Sequence, residues 1–285
     1  KKVLEFRGLS VSEEMLLGLG GGIGFIYWYM KRMPTQFIGT RNGKVGVFLL
    51  NACKRLGVTA TAVETTSAKR GFEELKTMLV SGDPVVCYGD MAYLPYFAVP
   101  ELAHFGGHAF VVFGLDEQKD EVYISDRGGR PVTVTTGDLQ KARGSKHAPF
   151  PPKHRLLKIR CPSKAENLEV GAREAIRECC DQTLHPPIEN IGLSGIRKWA
   201  DTVVNWPKQF KDASLLGCLF NTFLYIEISG TGGSAFRRMY ASFLRETSEI
   251  VKKPDLNSIA DEFDSSAESW SEIARSALPD SWPRL

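Results

Sequence analysis

The chain lacks the charge excess that marks a nucleic-acid-binding protein. Its 285 residues carry 36 lysines and arginines against 33 aspartates and glutamates, which gives a formal net charge of +3. No run of basic residues stands out. Domains that bind nucleic acid usually carry a strongly basic face with lysine and arginine clustered along it. We therefore expect no nucleic acid among the partners of this protein.

Cysteine is scarce and forms no CxxC motif. The six cysteines lie mostly in apolar surroundings: Cys53, Cys87, Cys161, Cys179, Cys180 and Cys218. This pattern predicts neither a disulfide framework nor a zinc site, and it is typical of a reducing compartment. We therefore expect a cytoplasmic protein.

Long apolar runs are absent as well. The most apolar stretch, residues 215–228, is short and contains Asn221 and Glu227, so it does not fit a helix that spans a bilayer. The glycine-rich run at residues 16–30 follows a pair of glutamates and does not fit a signal peptide. We expect no association with a membrane.

Motifs for nucleotides and metals are also missing. The glycines between Gly18 and Gly24 fit neither the GxGxxG pattern nor a P-loop, which also needs a lysine followed by serine or threonine. His104 and His108 are four residues apart, but two glycines interrupt any helix between them and no HExxH glutamate is present. The sequence thus predicts no bound metal and no nucleotide cofactor.

Hydrophobic periodicity predicts an α+β protein with two domains. Strands are predicted at residues 25–29, 59–65, 84–88, 108–114, 122–126, 133–135 and 156–159, with helices at 45–56 and 71–81 between them. After a polar segment at 161–171 the pattern becomes helical, most clearly at 234–252. We expect a mixed domain at 1–162 and a mainly helical domain at 163–285.

The beginning of the chain has the pattern of a helix end. Val3, Leu4 and Phe6 precede Gly8, which fits a helix closed by a glycine. Because the first residue is a lysine, we expect the front of this helix to lie upstream. Ser10 with a glutamate three residues later matches a capping box, which predicts a second helix that ends at about residue 19.

The clearest chemical pattern is a histidine and an aspartate on two strands of one hairpin. The charged turn at residues 116–120 joins the two strands, so residues equidistant from its centre face each other and His108 falls opposite or nearly opposite Asp126. Directly opposed Cβ atoms lie about 4.5–5.5 Å apart. An aspartate at that distance can bind one imidazole nitrogen and leave the other free to accept a proton. The alternative is a histidine at the edge of the core and an aspartate that starts a turn.

Five further residues are candidates for substrate binding. Gly107 would let a substrate approach the backbone closely. Asp90 follows a buried strand and would either bind an amine or cap a turn. Glu13 would orient an amine, although its place in the capping box also explains it. Glu227 lies in an apolar stretch, where a carboxylate needs a partner, and Tyr240 lies on the apolar face of a helix, where a core role is the alternative.

Glycines at residues 230–233 open the helix at 234–252, and backbone N–H groups at such a point can bind an anion. Arg237 or Arg238 would then contribute charge. The alternative is that the glycines serve close packing and the arginines lie on a solvated face.

Several separated motifs resemble the family of butirosin biosynthesis protein H. The resemblance rests on the run at residues 9–20 and its continuation at 24–28, on Asp90 with Leu94-Pro95-Tyr96, on Gly106-Gly107-His108 with Ser125-Asp126, and on residues 231–244, which resemble the helical domain that often follows. The motifs stand in one order and cover nearly the whole chain.

This resemblance implies a papain-like fold in the first domain and acyl transfer from a carrier-protein thioester to an amine. The partners that it implies are an acyl carrier protein, whose phosphopantetheine arm holds the donor, and a small-molecule amine acceptor. In such proteins the nucleophilic cysteine begins the first helix, ahead of the stretch that matches residues 3–8. The nucleophile would therefore lie upstream of Lys1, with His108 and Asp126 completing the site.

Two other functions remain open at this point. The same three groups would serve a cysteine peptidase or amide hydrolase, in which water takes the place of the amine. A non-catalytic binding protein would keep the fold without the chemistry. The sequence also leaves open whether the protein forms a homodimer.

Overall fold

The computed structural model describes residues 1–30, 33, 35–41, 45–97, 104–230 and 232–279. The chain forms two compact units, one made of Lys1–Val11 and Val45–Ala165 and the other of Ser12–Lys44 and Glu166–Leu285. The break near residue 165 lies close to the one expected from the sequence. The segment Ser12–Lys44, however, belongs to the second unit and not to the mixed one.

The structure contains helices and strands in the following order along the described residues. The helices are α1 Lys2–Phe6, α2 Glu13–Gly20, α3 Val47–Arg55, α4 Ala68–Val80, α5 Thr136–Gly144, α6 Leu168–Leu184, α7 Gly192–Val203, α8 Trp206–Gln209, α9 Asp212–Phe223, α10 Arg237–Val251 and α11 Asp255–Ser276. The strands are β1 Ile26–Trp28, β2 Phe37–Gly39, β3 Thr59–Val63, β4 Val85–Gly89, β5 His108–Asp116, β6 Glu121–Ser125, β7 Val132–Val134 and β8 Leu156–Arg160.

The first unit is built on an antiparallel six-stranded sheet in the order β3-β8-β4-β5-β6-β7. The predicted hairpin of β5 and β6 is present, and its turn is fixed by Asp116, whose Oδ1 accepts the backbone N–H groups of Gln118 and Lys119, each at 3.1 Å. The register shifts between Val112 and Gly114, where the strand carries a bulge. Mixed α and β structure in this unit is therefore confirmed.

The core of the first unit lies between this sheet and helices α4 and α5. Strand residues such as Val85, Val112 and Ile124 are fully buried, and Leu75 from α4 and Leu139 from α5 complete the cluster. Burying an aliphatic side chain of this kind stabilises the fold by about 1.5–3 kcal/mol. The ends of β4, β5 and β6 are held in place by this packing.

The second unit is mainly helical, as expected. Its core contains Trp199, Trp206 and Trp270 together with Phe25, which precedes β1, and Ile38 of β2. Helix α2 packs on α6 and α10, and the contact is so close that a Cβ on Gly18 would overlap the Phe243 ring. This apolar contact is the physical reason why the segment from Ser12 packs with the helical unit.

Some local expectations are wrong. Helix α2 is capped by Ser12, whose Oγ accepts the Met15 N–H at 2.9 Å, and not by Ser10. The helix expected at 234–252 begins only at Arg237, because Ser234, Ala235 and Phe236 all have positive φ angles of 49–68°. The first helix does end as expected, with Gly8 at φ +82°.

None of the helices in the described part of the chain combines the length and the apolar composition that crossing a bilayer requires.

Candidate active site

His108 and Asp126 are in direct contact. His108 Nε2 lies 2.7 Å from Asp126 Oδ2. The two residues are not directly opposed, because Val111 pairs with Ser125 and Asp126 follows the last residue of β6. His108, at the first position of β5, reaches the carboxylate along the diagonal of the sheet, a distance that a long side chain can span.

The contact engages one imidazole nitrogen and leaves the other available. The Nε2–H donates to Asp126, and within the described residues Nδ1 has no hydrogen-bond partner. An aspartate in this position fixes the tautomer and stabilises the imidazolium that forms when the free nitrogen takes a proton. Both side chains are largely shielded, with exposed fractions of 14% for His108 and 8% for Asp126. The arrangement can act as a general base.

Asp126 is held in its ionised form by three donors. Besides His108, the Tyr96 hydroxyl donates to Oδ2 at 2.8 Å and the Arg127 backbone N–H donates to Oδ1 at 2.8 Å. Burial by itself raises the pKa of Asp126, but the hydrogen bond and charge of His108, followed by Tyr96 and Arg127, outweigh it and lower the pKa below its ordinary value. The carboxylate is therefore negative at neutral pH.

Aromatic rings enclose this pair. The Phe97 and His108 rings are nearly perpendicular, with a centroid distance of 5.0 Å and an interplanar angle of 86°. The centroid of the Phe110 ring lies 6.1 Å from that of His108, and the two planes differ by 22°. Burial, followed by the nearby Asp126 carboxylate, raises the pKa of the Tyr96 phenol, so that its hydroxyl stays protonated and donates. The sequence contained Tyr96 only as part of a motif and gave no sign of its contact with Asp126.

The start of helix α1 lies at the same end of the sheet. Lys2 Nζ donates to the Ser125 hydroxyl at 2.8 Å, to the Asp126 carbonyl at 2.7 Å and to the Gly128 carbonyl at 3.3 Å. These bonds attach the first turn of α1 to the residue that holds His108. No feature of the sequence pointed to this contact.

Asp90, one of the expected substrate-binding residues, already has a full set of partners. Its Oδ2 accepts from Ser145 at 2.6 Å and His104 at 2.9 Å, and its Oδ1 accepts from the backbone of Phe105 at 3.0 Å and Ala92 at 3.2 Å. Its side chain is completely buried. Burial raises its pKa, but these hydrogen bonds outweigh that effect and lower it. A contact with substrate stays a prediction.

The glycines before His108 are packed against the protein itself. A Cβ on Gly106 would overlap the Phe150 carbonyl oxygen and lie 2.6 Å from Pro152 Cδ. A Cβ on Gly107 would lie 3.0 Å from the Phe105 ring. Gly106 therefore leaves no room for a side chain, whereas a Cβ on Gly107 would need only a small shift of the Phe105 ring. The approach of a substrate to Gly107 remains a prediction.

The other three expected binding residues belong to the second unit. Glu13 is exposed at the first position of α2. Glu227 is half-buried and accepts from the Ser271 hydroxyl at 2.7 Å and the Ser234 backbone at 3.3 Å. Tyr240 is buried in the core, where burial and then the nearby Cys179 raise its pKa well above the ordinary value. Their roles toward a substrate stay predictions.

The glycine-rich turn before α10 contains Thr231, which lies outside the described residues. Arg238 donates to Glu268 at 2.7 Å. Arg237 lies 4.2 Å from the centre of the Trp270 ring and donates to the Ala235 carbonyl at 2.7 Å. Both guanidinium groups therefore already have contacts within the unit.

Three of the internal cysteines, Cys53, Cys87 and Cys161, are poorly activated as nucleophiles. Burial raises the pKa of Cys53 to about 11, and it also raises the pKa of the completely buried Cys87. Burial raises the pKa of Cys161 as well, and Arg7 lowers it by less. Since the thiolate is the reactive form, these thiols are unsuited to attack a thioester at neutral pH.

Two family models match the chain. The model described as "Butirosin biosynthesis protein H, N-terminal" matches residues 1–127, which include His108 and Asp126. A domain of unknown function (DUF4872) matches residues 137–282. No curated protein matches the chain. The chain therefore belongs to the DUF4872 family, and its residues 1–127 are similar to the N-terminal domain of butirosin biosynthesis protein H.

Proposed function

We propose that this protein is an acyltransferase that moves an acyl or aminoacyl group from a carrier-protein thioester to an amine. The nucleophile in this proposal is a cysteine upstream of Lys1. His108 is the general base, and the Asp126 carboxylate orients it. The pathway would be a biosynthetic one, in keeping with the description of the model that matches residues 1–127. The donor would be held on the phosphopantetheine arm of an acyl carrier protein.

One observation carries the proposal. His108 binds Asp126 through Nε2 at 2.7 Å, keeps Nδ1 free within the described residues, and lies at the end of the sheet to which Lys2 attaches the start of α1. A cysteine just ahead of this helix would be within reach of Nδ1 and of the positive helix end, both of which favour the thiolate. This order of nucleophile, histidine and acid also supports a papain-like fold for the first unit.

The chemistry has two half-reactions. In the first, His108 Nδ1 takes the cysteine proton, the sulfur attacks the thioester carbonyl, and the bond to the carrier sulfur breaks as His108 returns the proton to the leaving thiol. In the second, the acceptor amine attacks the acyl-enzyme, His108 takes the amine proton, and the cysteine leaves with that proton. Asp126 stabilises the imidazolium in both.

The same site would support hydrolysis if water reached the acyl-enzyme. The aromatic rings of Phe97 and Phe110 beside His108 favour transfer over hydrolysis, because an apolar wall limits the access of water. The absence of any cysteine ahead of the matched segment would favour a binding protein without catalysis. We also propose a cytoplasmic location, which the lack of a CxxC motif among the six cysteines supports.

The test is product analysis with the full-length protein. An acyl group is loaded onto a carrier protein and offered with a panel of small amines, and both the amide product and the free acid are measured. The proposal predicts that amide formation exceeds hydrolysis for at least one amine and that it disappears in His108→Ala. Free acid alone, unaffected by any amine, would identify a hydrolase. Turnover of neither kind would favour a binding protein.

A further inference from the structure

Tyr96 and His108 bind the same oxygen of Asp126. The Tyr96 hydroxyl lies 2.8 Å from Oδ2, and His108 Nε2 lies 2.7 Å from that atom. The other oxygen, Oδ1, accepts the Arg127 backbone N–H. The carboxylate is thus fixed at both oxygens, and rotating it about its Cβ–Cγ bond would break the contacts with Tyr96 and His108 together.

The position of Tyr96 is itself determined by the fold. Asp90 caps the short 3-10 turn Met91–Tyr93 by accepting the Ala92 N–H at 3.2 Å. Leu94 then enters the core with an exposed fraction of 1%. Tyr96 follows two residues later, with its ring 4.8 Å from that of Phe97, which covers the His108 ring. Neighbouring residues of one segment therefore contact both members of the pair.

We propose that Tyr96 is a positioning residue for His108: its hydroxyl holds Asp126 ionised and aimed at Nε2, so that His108 keeps the tautomer with Nδ1 free. The inference rests on the proposed function for its catalytic consequence, but the arrangement of the three side chains can be tested without turnover.

The physical reason is that a carboxylate with one strong donor fewer is easier to protonate and freer to rotate. A hydroxyl that donates to a buried charged group makes a stronger bond than one between neutral groups. Without it, part of the His108 population would adopt the other tautomer, whose Nδ1 carries the proton and cannot act as a base. The effect would fall on the rate of acylation and not on binding of the thioester.

The chain offers a matched control. Tyr93 lies three residues before Tyr96, and its hydroxyl is 3.3 Å from His147 Nε2, away from Asp126. Tyr96→Phe and Tyr93→Phe remove the same atom from the same segment. A difference between the two variants therefore reports on the contact with Asp126 and not on the loss of a hydroxyl in general.

The first measurement is NMR of the full-length protein labelled at histidine nitrogens and aspartate carboxyl carbons. In the wild-type protein and in Tyr93→Phe, His108 should show one tautomer, with the proton on Nε2. In Tyr96→Phe we expect a second tautomer to appear and the Asp126 carboxyl to titrate at a higher pH. Unchanged tautomer and titration in Tyr96→Phe would overturn the inference.

Kinetics provide the second measurement. Tyr96→Phe should lower the rate of acyl-enzyme formation by about 10- to 100-fold, as expected for one lost charge-assisted hydrogen bond, with KM for the thioester unchanged and Tyr93→Phe near the wild-type rate. A changed KM with an unchanged rate would contradict a positioning role. If the tautomer changes as predicted but the wild-type protein forms no acyl-enzyme, the arrangement stands and the proposed function fails.

A measurement on the wild-type protein covers the case in which Tyr96→Phe does not fold. The Tyr96 hydroxyl proton, held against a buried carboxylate, should exchange slowly with water and show a nuclear Overhauser effect to the Nε2 proton of His108. A Tyr96 hydroxyl that exchanges as fast as that of an exposed tyrosine would overturn the inference.

Discussion

Replacing Asp90 by asparagine should strongly destabilise the first unit. The side-chain carbonyl of the introduced asparagine could still accept the backbone N–H groups of Ala92 and Phe105, but its NH₂ group would face the Ser145 hydroxyl and His104 Nδ1. Two charge-assisted hydrogen bonds are lost in a site without solvent access, each worth about 1.5–3 kcal/mol. Rotation of the Ser145 hydroxyl would restore part of the lost hydrogen-bond energy. We therefore expect a loss of about 3–5 kcal/mol in the free energy of unfolding.

The loss of unfolding free energy in Asp90→Asn should become smaller at low pH. Hydrogen bonds hold the pKa of Asp90 below its ordinary value in the folded protein, so its stabilising contribution is complete above the pKa of the unfolded chain, about 3.9. It is lost as the pH falls through the folded-state pKa. The difference between wild type and Asp90→Asn should therefore be constant above about pH 5 and shrink below about pH 4.

Urea unfolding followed by circular dichroism, together with amide hydrogen exchange in strands β4 and β5 of the first unit, measures both effects between about pH 3 and about pH 7. Asp116→Asn is the control, because Asp116 also accepts two backbone N–H groups but lies in an exposed turn, and it should change stability far less. A loss below about 1 kcal/mol for Asp90→Asn, or a difference that grows toward low pH, would refute the reasoning.

The remaining predictions concern the residues next to the end of β6 and the start of β5. Asp126→Asn should lower acyl-enzyme formation by about 10³- to 10⁴-fold, because an amide does not stabilise the imidazolium; stopped-flow acylation measures this, and a loss below about tenfold would contradict it. Gly106→Ala should cost about 1–3 kcal/mol of unfolding free energy, because its Cβ would overlap the Phe150 carbonyl. Gly129→Ala, which meets no atom within 4 Å, is the control, and equal losses in the two variants would disprove the packing argument.

The hairpin could be predicted because its signals are local. Apolar residues flank the charged turn at 116–120, and this pattern is enough to bring His108 and Asp126 to the same end of the sheet. The bulge between Val112 and Gly114 was not predicted, since it depends on how the two strands twist against their neighbours. It brings His108 to two positions from the residue opposite Asp126, where the register of the turn alone would leave three, and the contact is therefore diagonal.

The partners of Asp126 could not be predicted because they come from distant parts of the chain. Tyr96 is 30 residues and Lys2 is 124 residues away in sequence, and no periodicity relates residues at such separations. Helix α5 was missed for a different reason: it carries Gly137 and Gly144 at its ends and has only a short apolar face. Ser12–Lys44 was assigned to the mixed domain because the sequence alone does not show packing of α2 on α10.

The central claim is that His108 activates a cysteine upstream of Lys1, and intact-protein mass spectrometry of the full-length protein tests it most directly. After incubation with an acyl thioester, the account predicts a mass increase of one acyl group, mapped by peptide analysis to that cysteine and absent in His108→Ala. No adduct with any thioester, an adduct on one of the six internal cysteines, or an adduct that persists in His108→Ala would contradict it.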